Sequence, residues 1–322
     1  MRARDGLQEE EGVHRGKVGA APPDGQRNGL RRVGLERPEA VSFFGRSLLD
    51  HAIRYRRFGS FSALGARRAA AARTYRAHAM HELLRHRDPS GPGWADVAGF
   101  RLRYLEAEWM RYLYREVFAE REYWFATDNP RPVILDCGSN IGMAILFFKS
   151  LYPDAEIVAF EPAPWACDAI QETIRANTLD GVTVHNAALA EQEGSLELFH
   201  DPAHPGSAVM SVHRDRMPGE AIRVPAVRLS RYVTKPVDFL KLDVEGSELP
   251  VLRDLAASGT IGKIRQMVIE FHHHMSPSVD NLAECLAILE QHGFGYQLTA
   301  GQVYTPITRG QFQDVLVHAY RK

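Results

Sequence analysis

The sequence predicts an α/β protein with a mostly parallel, doubly wound sheet. From residue 132 onward, short apolar runs alternate with stretches whose apolar residues recur every three to four positions. This alternation is the pattern of strands followed by helices. Several of the runs are apolar throughout, as expected for strands that helices cover on both faces. The predicted α/β domain spans residues 129–322.

The predicted elements follow one another in a regular order. Longer strands are expected at residues 132–137, 156–161, 182–187, 237–243 and 266–271. Shorter strands are expected at residues 195–199, 222–229, 296–298 and 315–319. Helices are expected at residues 141–152, 164–178, 247–257 and 279–292. No internal repeat is visible.

Two further regions precede this domain. The first 40 residues are rich in Gly, Arg, Glu and Pro and poor in large apolar side chains, so we expect a disordered tail over residues 1–60 because little surface can be buried there. Residues 61–128 are expected to be helical and to cover a sheet edge or mediate a homodimer. The first predicted helix is 69–84, and the second has an apolar face formed by Leu102, Leu105, Trp109, Leu113 and Val117.

The aromatic residues of this second helical pattern allow two interpretations. Tyr112 and Tyr123 are among them. They could line a substrate cleft, but packing against the following domain is the interpretation that we favour.

Composition narrows the class of partner. The formal net charge is -1, so there is no global basic field for nucleic acid or an anionic membrane. The three cysteines are widely spaced, which is typical of neither a zinc site nor a disulfide framework. No apolar run approaches the roughly 20 residues that span a bilayer. We therefore expect a cytoplasmic protein that binds neither nucleic acid nor membrane.

The first predicted strand leads into a turn that contains two glycines. Residues 133–142 read Val-Ile-Leu-Asp-Cys-Gly-Ser-Asn-Ile-Gly. Gly138 would let the backbone turn tightly and approach a ligand closely, and Asn140 tolerates the left-handed conformation. Gly142 would let the next helix pack near the strand. The turn from Asp136 through Ser139 to Gly142 is therefore a predicted ligand-binding loop.

The charge of this turn distinguishes between two cofactors. Its GxxxG spacing differs from the GxGxxG pattern that binds a pyrophosphate. Asp136, at the strand end, would repel a diphosphate but would suit a ligand with an amino group or a sulfonium. Charge complementarity therefore favours S-adenosylmethionine over NAD.

The next two strand ends are predicted to bind the adenosine part. Glu161 ends the second strand, where an acid can accept hydrogen bonds from both ribose hydroxyls. Asn186 and the backbone of Ala187 follow the third strand and could bind the adenine edge if the strand order is 3-2-1-4-5. Formation of a structural turn explains Asn186 equally well.

The fourth strand carries a more specific pattern. Residues 238–248 read Asp-Phe-Leu-Lys-Leu-Asp-Val-Glu-Gly-Ser-Glu, which resembles the DFxKxDVEGxE segment of the FkbM-family methyltransferases. The DxGxNxG turn, the Phe160-Glu161-Pro162 strand end, and residues 186–189 with the turn at 194–196 are similar to that family as well. The resemblance covers residues 133–294 and leaves the first 130 residues outside it.

The resemblance implies a Rossmann-like class I methyltransferase fold, S-adenosylmethionine as the donor, and usually a hydroxyl oxygen of a sugar or other natural product as the acceptor. It implies that Asp136, Gly138, Asn140 and Gly142 hold the methionine part of the donor. It also implies that Glu161 holds the ribose and that Asp243 lies next to the transferring methyl group.

An alcohol acceptor must lose its proton as the new bond forms. The candidate groups at the carboxyl edge of the sheet are Asp243, Glu245, Glu270, His272, His273 and His274. Asp243 and Glu270 are expected one strand spacing apart, roughly 5 Å. With His272 they could bind a divalent metal. Alternatively, His272 acts as a general base without a metal, for which its near-neutral pKa is suited. We favour the base over the metal. A structural or substrate-binding role for these groups is weighed equally with the base.

Lys241 stands inside a strand that is otherwise apolar. A buried lysine needs a partner, so it is expected either to pair with a carboxylate near the site or to extend its stem to the sheet edge.

The sequence thus predicts O-methylation of a small hydroxylated molecule, a sugar or a secondary metabolite, by a methyltransferase whose catalytic candidates are Asp243, Glu270 and His272. Two other classes stay open at this point. One is an NAD-dependent oxidoreductase, and the other is a non-catalytic module that binds an adenosyl group.

Overall fold

A computed structural model of the chain describes residues 91–276, 279–300 and 312–322. The predicted tail at 1–60 and the predicted helix at 69–84 lie outside the described residues. The described chain forms a central sheet of seven strands, with helices on both of its faces. The strands of this sheet are β3 (Val133–Cys137), β4 (Glu156–Phe160), β5 (Val182–His185), β9 (Val237–Leu242), β10 (Ile264–His273), β11 (Phe294–Ala300) and β12 (Gln313–Arg321).

The remaining elements are shorter or lie outside this sheet. The described α-helices are α1 (Ala107–Tyr114), α2 (Met143–Leu151), α3 (Pro164–Asn177), α4 (Glu248–Ala257) and α5 (Leu282–Gln291). A π-helical turn at Arg115–Glu120 extends α1, and single 3₁₀ turns lie at Leu229–Tyr232 and Thr260–Lys263. A three-stranded sheet is formed by β6 (Ala188–Leu189), β7 (Gly194–His200) and β8 (Glu220–Val227).

The strand order confirms the predicted topology. It runs β11-β12-β10-β9-β3-β4-β5, and β12 pairs antiparallel with both of its neighbours. Within this sheet, the strands β3, β4, β5, β9 and β10 pair in parallel, and β9 and β10 are neighbours as expected. The strands that follow β3 in the chain, β4 and β5, lie on one side of it, and the later strands β9 and β10 lie on the other side, so the strand order reverses at β3. In a sheet of this kind, the crevice for ligands lies at that point, beyond the carboxyl ends of the strands.

Alternating residues of the central strands belong to two separate cores. Ile134 of β3 and Phe239 of β9 pack on one face with α2 and the N-terminal segment. Leu135 and Leu240, one residue further along each strand, pack on the other face with α4 and α5. All four side chains are buried. This explains why these strands are apolar at every position.

The prediction of helix is wrong for one part of the N-terminal region. Gly93–Val97 and Phe100–Tyr104 form an antiparallel hairpin, β1 and β2. Its two-residue turn, Ala98 and Gly99, has φ angles of 53° and 92°, and positive φ at both positions matches the right-handed twist of the strands. Leu102 fits both a helical and an alternating pattern, and the turn selects the strand.

The helix begins later than the sequence pattern suggests. Trp109 and Leu113 do lie in α1, whereas Val117 lies in the π-helical turn. The predicted packing of the aromatic residues is confirmed for Tyr114 and Phe118, which are buried in the same core as α2.

Asp238, at the start of β9, holds the chain that leads into β3. Its carboxylate accepts hydrogen bonds from the side chains of Thr127 and Asn129 and from the backbone N–H of Val133, at 3.3, 2.9 and 3.0 Å. The side chain is 4% exposed. This acid therefore joins the N-terminal segment to the sheet at the edge opposite the crevice.

Among the described residues, no helix is long and apolar enough to cross a membrane.

Candidate active site

A cavity lies at the carboxyl ends of β3, β4, β9 and β10. Gly138, Asn140 and Glu161 line one part of it, and Asp243 and Glu270 line another. The irregular segment between β7 and β8 contributes residues 208–210 to the wall. The strand ends that the sequence singled out therefore meet at a single cavity.

The first turn has the backbone that its residues suggest. Gly138 and Asn140 both have positive φ, 84° and 45°. A Cβ on Gly138 would lie 1.7 Å from the backbone oxygen of Asp243, so only glycine fits between the turn and the end of β9. Gly142, with φ of 86°, precedes α2, and a Cβ there would lie 3.3 Å from Ile170. Gly142 does not line the cavity, and its close neighbour is a side chain of α3, so this glycine serves the packing of α2 against α3 and the implied contact with the donor is not supported.

Ser139 and Asn140 complete this turn. Both line the cavity. The hydroxyl of Ser139 donates to the backbone oxygen of Asp136 at 3.0 Å, and the side-chain amide of Asn140 donates to the backbone oxygen of Ser207 at 3.2 Å. The second bond ties the turn to the segment between β7 and β8.

Glu161 is buried at the end of β4 and faces the cavity. One carboxylate oxygen accepts the backbone N–H of Asn140 and the other that of Ala163, both at 2.8 Å. Burial raises the pKa of this carboxyl to about 7, although the two amide bonds oppose the shift. Each oxygen keeps a lone pair for a further donor, which fits a ligand that presents two hydroxyls.

The charge argument for S-adenosylmethionine requires the carboxylate of Asp136 to face the ligand, and the structure does not place it there. It is fully buried and does not line the cavity. Its nearest cation is the ammonium of Lys241, 3.7 Å from Oδ1, and neither carboxylate oxygen has a hydrogen-bond partner. Burial raises the pKa of Asp136, and Lys241 acts against that rise. Asp136 therefore acts on the cavity through Lys241, and the expected direct contact with a cationic ligand is not supported.

Lys241 pairs with carboxylates near the site, which was one of its two expected roles. Its ammonium lies 3.0 Å from Oδ2 of Asp243 and donates to the backbone oxygen of Gly138 at 2.7 Å. Burial alone would lower the pKa of Lys241, but Asp243 and Asp136 outweigh it and raise the pKa above its ordinary value. Lys241 therefore stays charged and joins the first turn to the end of β9.

We predict that Lys241→Met destabilises the protein by about 3–5 kcal/mol, because it leaves Asp136 as an uncompensated buried charge. Urea unfolding measures this change. Lys235→Met is the matched control, since Lys235 is half exposed and pairs with the exposed Glu156, a pair worth about 1 kcal/mol or less. Equal effects of the two substitutions would contradict the assigned role of Lys241.

The two residues expected near adenine, Asn186 and Ala187, both follow β5, but they have different surroundings. Ala187 lines the cavity and Asn186 does not. The side-chain amide of Asn186 donates to the backbone oxygens of Glu161 and Pro162, both at 2.9 Å. Asn186 therefore supports the loop that carries Glu161, as the structural interpretation expects, and does not reach the cavity.

The ends of β9 and β10 bring Asp243 and Glu270 together. The residues just before them, Leu242 and Ile269, are paired in register. The hydroxyl of Tyr123 lies between the two carboxylates, 2.9 Å from Oε2 of Glu270 and 3.3 Å from Oδ2 of Asp243. Burial raises the pKa of Glu270 well above its ordinary value, and Asp243 adds to the shift.

His272 is buried among carboxylates. Its Nδ1 lies 2.8 Å from Glu248, and its Nε2 lies 3.5 Å from Glu245 and 3.9 Å from Asp243. Burial disfavours the charged ring, but Glu248 and Glu245 outweigh burial, and the pKa of His272 rises well above its ordinary value. The ring therefore holds a proton at neutral pH, which disfavours the expected role as a free base. His273 and His274 lie instead beside Asp280 and do not line the cavity.

Asp243, Glu270 and His272 do not form one compact ligand set. Within the described part of the chain, His272 lies close enough to share an ion with Asp243 and Glu245, or with Glu270 and Asp314. We assign no metal to either arrangement, because an imidazole must lose its proton to bind a metal and the carboxylates favour the protonated ring. The hydroxyl of Tyr123 also occupies the space between Asp243 and Glu270.

Three charged cavity residues, Glu116, Arg216 and Asp314, were not identified from the sequence. Tyr112 and Tyr123 also line the cavity, as in the interpretation of the aromatic residues that we did not favour. Burial raises the pKa of Glu116 to about 8. The three charged residues come from the π-helical turn, the segment between β7 and β8 and the last strand. No local motif marks them, and only the periodicity around Tyr112 and Tyr123 was a signal.

The strand order, the glycine turn after β3 and the acidic end of β4 define a class I S-adenosylmethionine-dependent methyltransferase. The profile of the methyltransferase FkbM domain matches residues 136–296, and the chain belongs to that family.

Related proteins carry corresponding names. "Methyltransferase 1" of Beauveria bassiana (strain ARSEF 2860) is 30% identical over 211 residues, which cover 59% of this chain and 82% of the relative. "31-O-demethyl-FK506 methyltransferase FkbM" of Streptomyces tacrolimicus is 30% identical over 230 residues, which cover 61% of this chain and 86% of the relative. The solved structure of methyltransferase FkbM from Methylobacillus flagellatus KT aligns with a TM-score of 0.43 and 16% identity over 86% of this chain and 60% of that one.

Proposed function

We propose that this methyltransferase transfers the methyl group of S-adenosylmethionine to a hydroxyl oxygen of a small molecule, a sugar or a secondary metabolite. The observation that carries the proposal is the single cavity in which Glu161 and the first turn stand on one side and the carboxylates of Asp243 and Glu270 on the other. The name of the Streptomyces relative specifies transfer to an oxygen.

The residues on the first side fit the donor. Glu161 presents two carboxylate oxygens that can accept the ribose hydroxyls, and the backbone of Ala187 lies where the adenine edge is expected. Gly138, Ser139 and Asn140 line the cavity beside Asp243, and this is where the methionine part would lie. The bound donor would supply a sulfonium methyl group, which passes to the acceptor oxygen as S-adenosylhomocysteine forms.

Asp243 is the residue to which we assign the acceptor proton. It lies at the end of β9, is partly exposed to the cavity, and receives the hydrogen bonds of Lys241 and Tyr123 on the same oxygen, Oδ2. Oδ1 is left for the acceptor hydroxyl. The oxygen of the acceptor gains the methyl carbon and loses its proton to Asp243, and holding the reactants in line supplies much of the rate.

His272 is assigned a positioning role. Its contacts with Glu248 and Glu245 hold the loop that follows β9, and Glu248 in turn accepts the backbone N–H groups of Val244 and Gly246. The proposed reaction needs no metal.

A labelled-methyl assay tests this function. The purified protein is incubated with methyl-labelled S-adenosylmethionine and a panel of monosaccharides, catechols and hydroxylated macrolides, with and without a chelator. We expect label in an oxygen-bound methyl group of at least one acceptor, and the same rate with the chelator. Label on nitrogen or carbon alone would contradict O-methylation, and loss of rate with the chelator would contradict the metal-free reaction.

Calorimetry with S-adenosylhomocysteine and with NAD separates the remaining alternatives. We expect the protein to bind S-adenosylhomocysteine and not NAD. A protein that binds S-adenosylhomocysteine but transfers no label to any acceptor would match the non-catalytic module.

A further inference from the structure

Tyr123 connects the N-terminal segment to the centre of the site. It precedes the region matched by the family profile, which begins at residue 136. Its side chain is 3% exposed, and its ring packs in the core on the α2 face of the sheet. Its hydroxyl contacts both Asp243 and Glu270.

The surroundings of this hydroxyl are strongly acidic. The ammonium of Lys241 lies 4.9 Å from the centre of the Tyr123 ring and already pairs with Asp243. The acids that act on the hydroxyl come from the π-helical turn and the segment after it and from the ends of β9 and β10, and they are Glu116, Glu122, Asp243 and Glu270. The other charged groups that line the same cavity are Arg216, Glu245, His272 and Asp314.

We propose that Tyr123 is a positioning residue for methyl transfer, whose hydroxyl bridges Asp243 and Glu270 and holds Asp243 in the orientation that takes the proton of the acceptor. This inference rests on the proposed O-methylation for its role in turnover. The bridge itself rests on the two hydrogen-bond distances.

The bridge follows from the charges of the two acids. Burial and the neighbouring Asp243 raise the pKa of Glu270 well above its ordinary value, so Glu270 is the acid of the pair that favours the protonated form. A tyrosine hydroxyl has one hydrogen to donate and can also accept one. With Glu270 protonated, Glu270 donates to Tyr123 and Tyr123 donates to Oδ2 of Asp243. This arrangement leaves the negative charge on Asp243, whose Oδ1 is not engaged in either bond.

The first test compares Tyr123→Phe with Tyr152→Phe in the full-length protein. Tyr152 is buried in the same core, and its hydroxyl contacts the backbone of Thr127 and Phe125 outside the cavity. With an acceptor found in the labelled-methyl assay, Tyr123→Phe is expected to lower kcat by about tenfold to a hundredfold, the value of a hydrogen bond to a charged group. The acceptor KM and the affinity for S-adenosylhomocysteine should stay near wild type in both variants.

Coupling between two substitutions separates this role from a structural one. The effects of Tyr123→Phe and Glu270→Gln on kcat should fall short of additive, because both act through the same bridge. Fully additive effects, or an equal loss of kcat in both tyrosine variants, would overturn the proposal.

A second measurement needs no acceptor. Carboxyl ¹³C NMR of protein labelled in glutamate side chains and saturated with S-adenosylhomocysteine follows the titration of Glu270, assigned by Glu270→Gln. Tyr123→Phe is expected to lower the midpoint of that titration by about one pH unit, because the protonated Glu270 loses the hydroxyl that accepts its hydrogen bond, whereas Tyr152→Phe should not change it. An unchanged midpoint would exclude the bridge. Because this result does not depend on turnover, failure to find an O-methylated acceptor would contradict the proposed function without deciding the bridge.

Discussion

Asp243→Asn is expected to lower turnover by about a hundredfold to ten-thousandfold, the usual contribution of a positioned general base. The amide keeps the shape of the side chain and can still accept the hydrogen bond of Lys241, but it cannot take the proton of the acceptor. Affinity for S-adenosylhomocysteine should change little, because the residues assigned to ribose and adenine lie on other strands. Initial rates of labelled-methyl transfer and calorimetry measure the two quantities.

Asp238→Asn is the matched control for this variant. Asp238 stands on the same strand, β9, at the end away from the cavity, and holds Thr127, Asn129 and Val133. This substitution is expected to lower the unfolding temperature and to leave the turnover of the folded protein unchanged. If Asp243→Asn kept wild-type turnover, or if both variants lost activity in proportion to stability, Asp243 would not be the proton acceptor.

Glu161→Ala is expected to weaken the binding of S-adenosylhomocysteine by about tenfold or more, since it removes hydrogen bonds between a carboxylate and the two ribose hydroxyls. Titration calorimetry at pH 8 measures the loss. Glu156→Ala, on the same strand β4, removes a half-exposed acid at the end away from the cavity and should leave the affinity unchanged. Equal affinities of wild type and Glu161→Ala would remove Glu161 from the donor site.

The pH dependence of the same binding follows from the state of Glu161. Burial raises the pKa of its carboxyl to about 7, so the carboxylate is present above that pH and is lost as the pH falls through it. Because ribose hydroxyls donate to the ionised form, affinity should fall as the pH is lowered from 8 to 6. Glu161→Gln carries no charge at either pH and should remove this dependence. Its amide oxygen can still accept one of the two backbone N–H groups, which limits damage to the first turn.

Much of the central sheet could be predicted from local patterns, because its strands are buried on both faces and bounded by turn residues. The observed strand β3, Val133–Cys137, begins one residue after the prediction, and α3, Pro164–Asn177, ends one residue before it. The hairpin of β1 and β2 was missed because Leu102 satisfies two periodicities, and the positive φ of Ala98 gives no sequence signal as clear as that of a glycine.

Site residues that end a strand were predicted, whereas residues that reach the site from other segments were missed or, like Tyr123, were assigned to packing. Glu161, Asp243 and Glu270 follow directly from strand ends in a parallel sheet. Tyr123 lies 120 residues before Asp243 in the chain, and no spacing rule connects the two. Asp136 was predicted to touch the ligand because the strand end gives its position along the chain but not the buried direction of its side chain.

The sequence by itself determined the α/β class, the turn after β3 and the order of acids along the carboxyl edge, since each depends on neighbours within a few residues. Only the tertiary structure decided which charges are paired. Lys241 neutralises Asp136, carboxylates keep His272 protonated, and Tyr123 separates Asp243 from Glu270. The physical reason is that ionisation inside a protein depends on burial and on charges within a few ångströms, and these distances arise from segments far apart in the chain.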